Sequence, residues 1–168
     1  MNEIIVYAGT IVYAGTFDPI TNGHLDIMKR AVKLFKKLVV LVVSHSDKSP
    51  LFSLEERIKF IQEATKECKG VEIDSFDGLL MDYMRKKRAK IVIRGLRAVS
   101  DFDYEFQLSQ LNRKLYPEVE TVFIMPSEEH FFLSSSMLKE IASYGGDVSQ
   151  FVPAIVSKAL RKKFEIQK

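Results

Sequence analysis

The chain has 168 residues, of which 46% are hydrophobic and 28% charged, as in an ordinary globular domain, and we expect a single domain over residues 1–168. Its net charge of +3 argues against a dedicated nucleic-acid binder and suits small anionic substrates. The single cysteine, Cys68, excludes an internal disulfide framework and predicts a reducing, cytoplasmic setting. Near Glu3 there is no basic segment typical of a signal peptide, and the longest apolar run, Leu38–Val43, is too short to span a membrane.

A hexapeptide is duplicated at the start of the chain. The sequence IVYAGT occupies residues 5–10 and again residues 11–16, and only the second copy continues into Phe17, Asp18 and Pro19. The first copy is either a local duplication that adds an N-terminal segment or a genuine extension of the first strand. We favour the duplication, because an extra apolar strand without a partner promotes aggregation.

Five short runs rich in valine and isoleucine predict β-strands. They are continuous rather than alternating, as expected of strands covered on both faces of a parallel sheet. The runs span residues 11–14, 38–44, 71–74, 91–93 and 121–125.

Helical patterns separate these strands. The first is an apolar stripe over residues 25–35, and the second opens with a capping box from Ser53 to Glu56. Further helices are predicted over residues 79–88, 100–115 and 135–144, and from Pro153 onwards. The alternation predicts a doubly wound, five-stranded parallel α/β sheet of the Rossmann type, whose ligands bind outside the carboxyl ends of the strands.

The segments that follow the predicted strands carry groups suited to phosphate. Residues 15–24 lead into a helix, whose N-terminus presents free N–H groups and a positive dipole end. Lys48 follows the second strand, Arg94 and Arg97 follow the fourth, and three serines from Ser134 follow the fifth. Because parallel strands end at one edge of the sheet, these groups are predicted to converge on several phosphates.

Several common site motifs are missing from the sequence. There is no G-x-x-x-x-G-K-[ST] sequence, no G-x-G-x-x-G after the first strand and no G-x-S-x-G. With three histidines and one cysteine, the chain also offers little for a dedicated zinc site. These observations argue against a P-loop NTPase, a standard dinucleotide binder, a serine hydrolase and a zinc enzyme.

Three motifs carry a family resemblance. The segment from Gly15 to Pro19, followed by TNGH ending at His24, resembles the H/T-x-G-H signature of the nucleotidylyltransferase superfamily. The residues LSSS from Leu133 resemble its I-S-S-S motif, and IRGLRAVSDFDYE at residues 93–105 resembles the bacterial phosphopantetheine adenylyltransferases. The resemblance runs from Ile11 to the last helix and implies the Rossmann-like nucleotidylyltransferase fold. Ala14 stands where the family has proline, and Leu133 where it has isoleucine.

The resemblance implies an enzyme of coenzyme A biosynthesis. Such an enzyme reversibly transfers AMP from ATP to 4′-phosphopantetheine, giving dephospho-coenzyme A and pyrophosphate. The nucleophile is an oxygen of the acceptor phosphate. The second pKa of a phosphate monoester is about 6, so this group is largely a dianion at neutral pH and no general base is required. Positioning and fixed positive charge then supply most of the rate.

The same resemblance assigns roles to individual residues. The catalytic residues are His24, which stabilises the transition state at the α-phosphate, and the pair Lys48 and Arg94, which hold the acceptor phosphate. The substrate-binding residues are Thr16, Lys48, Leu80, Arg94, Tyr104 and Asn112. The ATP-binding residues are Thr16, Phe17, His24, Gly95, Leu96, Arg97, Glu105, His130, Phe131, Phe132, Leu133, Ser134, Ser135 and Ser136.

Ordinary structural roles compete with several of these assignments. Lys48 has a serious rival as a solvated loop lysine, and Phe17 as a core aromatic residue. Tyr104 and Asn112 share one predicted helix face, which is equally compatible with a core or solvated face. The serines can cap a helix while they bind phosphate.

The partners follow from the same resemblance. We expect ATP with Mg²⁺ held mainly by phosphate oxygens and water, 4′-phosphopantetheine, and a homohexamer, and coenzyme A is plausible as a feedback ligand. Neither a nucleic acid nor a membrane is expected, since the basic run at residues 85–88 lies at a predicted helix end without interleaved aromatics. The alternatives are another nucleotidylyltransferase of the superfamily and a non-catalytic ATP-sensing or RNA-binding module. The stretch from Arg94 to Glu105 argues against the first, and the presence of His24, Lys48 and Arg94 together argues against the second.

Overall fold

Strands and helices alternate along the chain in the computed structural model, which describes residues 9–44, 49–130 and 134–165. The strands are β1 (Ile11–Gly15), β2 (Leu38–Val43), β3 (Val71–Phe76), β4 (Ile91–Gly95) and β5 (Glu120–Ile124). The helices are α1 (Asn22–Phe35), α2 (Leu54–Thr65), α3 (Leu80–Lys86), α4 (Val99–Leu115), α5 (Ser135–Ser143) and α6 (Ala154–Glu165), with a short 3-10 helix at Glu128–His130.

The five strands form one parallel sheet in the order β3-β2-β1-β4-β5. The predicted doubly wound parallel sheet is therefore confirmed. The chain leaves β1 towards β2 on one side and later returns to place β4 on the other, so the strand order reverses beside β1. In the register, Gly15 lies opposite Val42 of β2, and Tyr13 lies opposite Ile93 of β4. The loops after β1 and β4 therefore emerge side by side, where such sheets bind their ligands.

Side chains of the central strands alternate between two buried layers. Ile11, Tyr13 and Ile93 pack in a core with helices α1, α2, α5 and α6, whereas Val12 and Val92 pack on the other face with α3. Both faces of these strands are thus covered, as their continuous apolar runs predict. The expectation fails for β3 and β5, which are only partly buried because they lie at the two edges of the sheet.

Element boundaries follow local signals closely. The predicted capping box opens α2: the Ser53 hydroxyl accepts a hydrogen bond from the Glu56 N–H at 3.2 Å, and the Glu56 carboxylate accepts one from the Ser53 N–H at 2.8 Å. Strand β3 extends two residues past its prediction, because Ser75 and Phe76 still pair with β2.

The second copy of the duplicated hexapeptide supplies β1, from Ile11 to Gly15. Residues 5–8 of the first copy, which spans residues 5–10, lie outside the described residues, so the interpretation of that copy stays a prediction. Within the described ranges, no helix is both long and apolar enough to cross a membrane.

Candidate active site

A cavity of about 490 Å³ opens at the carboxyl edge of the sheet, beside β1 and β4. It brings together residues from four separate segments of the chain. Those predicted for the site that line it are Thr16, Phe17, His24, Arg94, Gly95, Arg97, Glu105, Ser134, Ser135 and Ser136.

Other predicted residues lie elsewhere or beyond what is described. Leu80 and Leu96 do not line the cavity. Tyr104 is 67% exposed on α4, Asn112 is buried at 5%, and neither lines the cavity. Lys48, Phe131, Phe132 and Leu133 lie outside the described residues, as does the side chain of His130. Their assigned roles stay predictions.

His24 is held in one orientation by the start of α1. Its backbone N–H donates to the Thr21 hydroxyl at 3.2 Å, while its ring Nδ1 accepts from the Thr21 backbone N–H at 3.0 Å. A histidine thus occupies the position that Glu or Gln takes in a standard capping box. Because the Thr21 N–H can only donate, Nδ1 carries no proton, and the neutral ring bears its hydrogen on Nε2.

The surroundings of His24 keep its ring neutral. Burial, assisted by the positive charge of Arg97, lowers the pKa of His24 to about 4. The Phe17 ring packs edge-on against it, with 5.2 Å between centroids. Phe17 itself is 3% exposed with φ of 48°, and its ring folds back over Gly15, where a Cβ would lie 3.1 Å from it. At neutral pH His24 is therefore a donor through Nε2 and not a cation.

The protonation of His24 gives a testable pH dependence. An NMR titration of the ring resonances of His24 is expected to show an inflection near pH 4, and the Arg97→Gln variant is expected to move it upward, but not to 6.5, because burial remains. Between about pH 6.5 and pH 4 only the unfolded chain takes up this proton, so the group's contribution to stability falls as the pH falls. Titration near 6.5 in the unaltered chain would contradict the lowered pKa of this ring.

Arg94 forms a two-pronged ion pair with Glu105. Its Nε donates to one carboxylate oxygen at 2.8 Å and one terminal nitrogen to the other at 2.6 Å, while the second terminal nitrogen donates to the Ala14 carbonyl at 3.0 Å. Burial lowers the pKa of Arg94, but the hydrogen bonds and charge of Glu105 outweigh it and raise the pKa. Of the five N–H groups of a guanidinium, three are thus engaged, which leaves two for a ligand.

The N-terminus of α5 is fastened to the loop that follows β1. The Ser135 hydroxyl donates to the Pro19 carbonyl at 2.8 Å, and Ser134 caps the helix by accepting from the Met137 N–H at 3.1 Å. One turn later, the Lys139 ammonium lies 2.6 Å from the Asp18 carboxylate. Residues 134–136, expected to meet phosphates, are therefore held against the other motif before any ligand binds.

Two further residues at the site are not singled out by the sequence patterns. Lys139 lines the cavity, and its signal is its position one turn after Ser135. Arg57 of α2 is 1% exposed and donates to the Thr16 carbonyl at 2.8 Å. The sequence feature that could have identified Arg57 is its position four residues before the buried Ile61. This spacing places a cation on the apolar side of an amphipathic helix.

Metal ligands are scarce around the cavity. Within the described ranges, no group of three or more His, Cys, Asp or Glu side chains could hold a metal ion. Both oxygens of Asp18 accept hydrogen bonds, from Leu51, Phe52 and Lys139, and both oxygens of Glu105 face Arg94. The carboxylates of Asp18 and Glu105 are thus already engaged by protein donors.

The sheet order and the position of the cavity define an α/β protein of the Rossmann-like class with a site at the switch in strand order. A family model described as cytidylyltransferase-like matches residues 12–141. The chain is 55% identical over 93% of its length to the phosphopantetheine adenylyltransferase of Thermodesulfovibrio yellowstonii, covering 98% of that protein. It is 52% identical over 90% of its length to that of Alkaliphilus metalliredigens, and 53% identical over 92% to that of Caldanaerobacter subterraneus, covering 97% and 96% of those proteins.

The chain therefore belongs to the cytidylyltransferase-like family and, within it, to the phosphopantetheine adenylyltransferases. This confirms the resemblance inferred from the motifs.

Proposed function

We propose that this chain transfers AMP from ATP to the phosphate of 4′-phosphopantetheine, giving dephospho-coenzyme A and pyrophosphate. The observation that carries the proposal is the shared cavity at the ends of β1 and β4, where the Nε2–H of neutral His24 and the free N–H groups of Arg94 face the same space. The relatives' names supply the acceptor, and the cavity supplies the donors that a reaction between two polyanions needs.

The reaction is a direct displacement at phosphorus. An oxygen of the acceptor phosphate attacks the α-phosphorus of ATP, the bond from that phosphorus to the bridging oxygen breaks, and pyrophosphate leaves with the electron pair. At neutral pH the acceptor is largely a dianion, so no base has to remove a proton. What remains is to align two anions and to stabilise the charge that builds up at the α-phosphate.

Neutral His24 suits the second task. Its Nε2–H donates to an α-phosphate oxygen, and the fixed Nδ1 prevents the ring from turning away as charge develops. Arg94 carries out the first task by binding the acceptor phosphate, with Glu105 and the Ala14 carbonyl keeping its guanidinium plane in place. Thr16 and Lys48 complete the acceptor subsite.

The ATP phosphates extend toward α5. The start of this helix presents the Ser136 hydroxyl and backbone N–H groups, at the end where the dipole favours anions. Ser134 and Ser135 hold this turn in place through their cap and the bond to Pro19. Arg97 and Lys139 add positive charge at the cavity. Mg²⁺ enters as part of the ATP complex, bound by phosphate oxygens and water, because the carboxylates of the cavity are already engaged.

Assembly and regulation complete the proposal. We propose a homohexamer, supported by the apolar side chains that α4 leaves exposed, among them Val99 at 92%, Phe106 at 47% and Leu111 at 52%. We also propose coenzyme A, which differs from the product by one phosphate, as a feedback ligand. The use of ATP and the single cysteine support a cytoplasmic location.

The test is an acceptor comparison. Pyrophosphate release from ATP and Mg²⁺ is measured with 4′-phosphopantetheine, with nicotinamide mononucleotide, and without an acceptor. We expect pyrophosphate release with 4′-phosphopantetheine and none with nicotinamide mononucleotide or without an acceptor. Release with the mononucleotide would move the chain to another nucleotidylyltransferase activity, and ATP binding without release for either acceptor would favour a non-catalytic sensor.

A further inference from the structure

Arg57 is a buried cation whose hydrogen bonds go to backbone carbonyls. Its side chain projects from the first turn of α2 and is 1% exposed. One terminal nitrogen donates to two oxygens at once, the Thr16 carbonyl at 2.8 Å and the Val43 carbonyl at 3.0 Å. Its Nε lies 3.4 Å from the Ser53 carbonyl at the cap of its own helix.

The two distant carbonyls belong to neighbouring strands. Thr16 directly follows β1, Val43 is the last residue of β2, and Gly15 pairs with Val42 in the sheet register. A single nitrogen therefore joins the ends of two adjacent strands at the point where the ladder between them stops. Thr16 lies beyond the last β1–β2 pair, so sheet pairing does not orient its peptide group. The hydrogen bond from Arg57 fixes that orientation instead.

Burial of this guanidinium is unfavourable by itself. Burial lowers the pKa of Arg57, opposed by the negative charges of Asp18 and Glu55. A helix that needed only to pack on the sheet would do so more favourably with an apolar side chain, as Ile61 does one turn later. A cation at this position therefore points to a requirement at the Thr16 peptide.

We propose that Arg57 is a positioning residue for the reaction: by holding the Thr16 carbonyl, it aims the Thr16 hydroxyl and the adjoining N–H groups at the acceptor phosphate. This rests on the proposed function, since Thr16 is placed at that phosphate there. Small displacements of such groups are costly, because a shift of about 1 Å can reduce a rate about 100-fold.

The test compares three variants by their kinetics with 4′-phosphopantetheine. Arg57→Met removes the donors at similar volume, Arg57→Lys keeps a charged donor, and Ile61→Ala weakens the same helix without touching the loop. We expect Arg57→Met to lower kcat/KM for phosphopantetheine by about 10- to 100-fold, with ATP Kd changed less than about threefold. Arg57→Lys is expected to recover part of the loss, and Ile61→Ala to lower Tm with kcat/KM within about twofold of the unaltered chain.

A mutant cycle with Thr16→Ala separates positioning from general destabilisation. If Arg57 acts through Thr16, Arg57→Met costs less in the Thr16→Ala background than alone. Equal costs in both backgrounds, or an Arg57→Met enzyme that matches Ile61→Ala in kcat/KM, would overturn the inference. Failure of the proposed function is distinguishable, because the unaltered chain would then give no turnover with phosphopantetheine.

Discussion

The His24→Ala variant is expected to bind ATP within about threefold of the unaltered chain but to lose about 100- to 1,000-fold in kcat. The reason is geometric. The Thr21 N–H fixes Nδ1 as an acceptor, so the Nε2–H is presented to the cavity before substrates arrive. A donor prepared in this way is most effective in the transition state, when charge on the α-phosphate is greatest. Single-turnover measurement of pyrophosphate release, beside ATP binding by calorimetry, separates the two effects.

His24→Gln provides the matched control for this variant. Its side chain amide retains an N–H donor of similar reach, so it should recover part of the lost rate. The rate of the unaltered chain should also show no inflection from His24 between pH 5.5 and 8, because its pKa of about 4 keeps the ring neutral there. An alanine variant with normal kcat would remove His24 from the chemical step.

Arg94→Met is expected to reduce both stability and activity. The partner carboxylate of Glu105 is only 11% exposed, so removing Arg94 leaves a nearly buried charge unpaired, at a cost of about 3–5 kcal/mol in the free energy of unfolding. The acceptor phosphate also loses its planar two-donor partner, and kcat/KM for phosphopantetheine should fall at least about 100-fold. Urea unfolding and steady-state kinetics measure the two losses.

Two control variants separate these effects. The double variant Arg94→Met with Glu105→Gln should recover much of the stability, because it removes the unpaired negative charge of Glu105. It should recover none of the activity, because the guanidinium donors of Arg94 are still missing. Lys66→Met breaks an ion pair with Glu63 in which the two side chains are 60% and 50% exposed, so it should leave the free energy of unfolding nearly unchanged. Recovery of activity in the double variant would show that Arg94 serves the fold and not the substrate.

The architecture is predicted well because strands and helix starts are determined largely by neighbouring residues in the sequence. The strand runs and the capping box at Ser53 depend on residues close in sequence, and the structure places β1 through β5 and the helices near their predicted bounds. The predicted edge-strand burial failed because a run of apolar residues does not reveal which strands lie at the sheet margin.

The supporting contacts of the site depend on distant pairs instead. Arg57 meets Thr16 across 41 positions, and Lys139 meets Asp18 across 121, so no spacing rule links them. The contact that fixes the tautomer of His24 is local by comparison, since Thr21 lies only three residues away. It could have been predicted by treating the histidine as the N3 residue of a capping box whose N-cap is Thr21.

The most direct test of the proposed chemistry follows the phosphorus atoms through one reaction. The unaltered chain is incubated with ATP, Mg²⁺ and 4′-phosphopantetheine whose phosphate oxygens carry heavy oxygen, and the products are read by phosphorus NMR and mass spectrometry. Direct attack by the acceptor phosphate predicts equal amounts of pyrophosphate and dephospho-coenzyme A, with all of the label in the dephospho-coenzyme A. Formation of ADP, of free AMP, or of labelled pyrophosphate would contradict it.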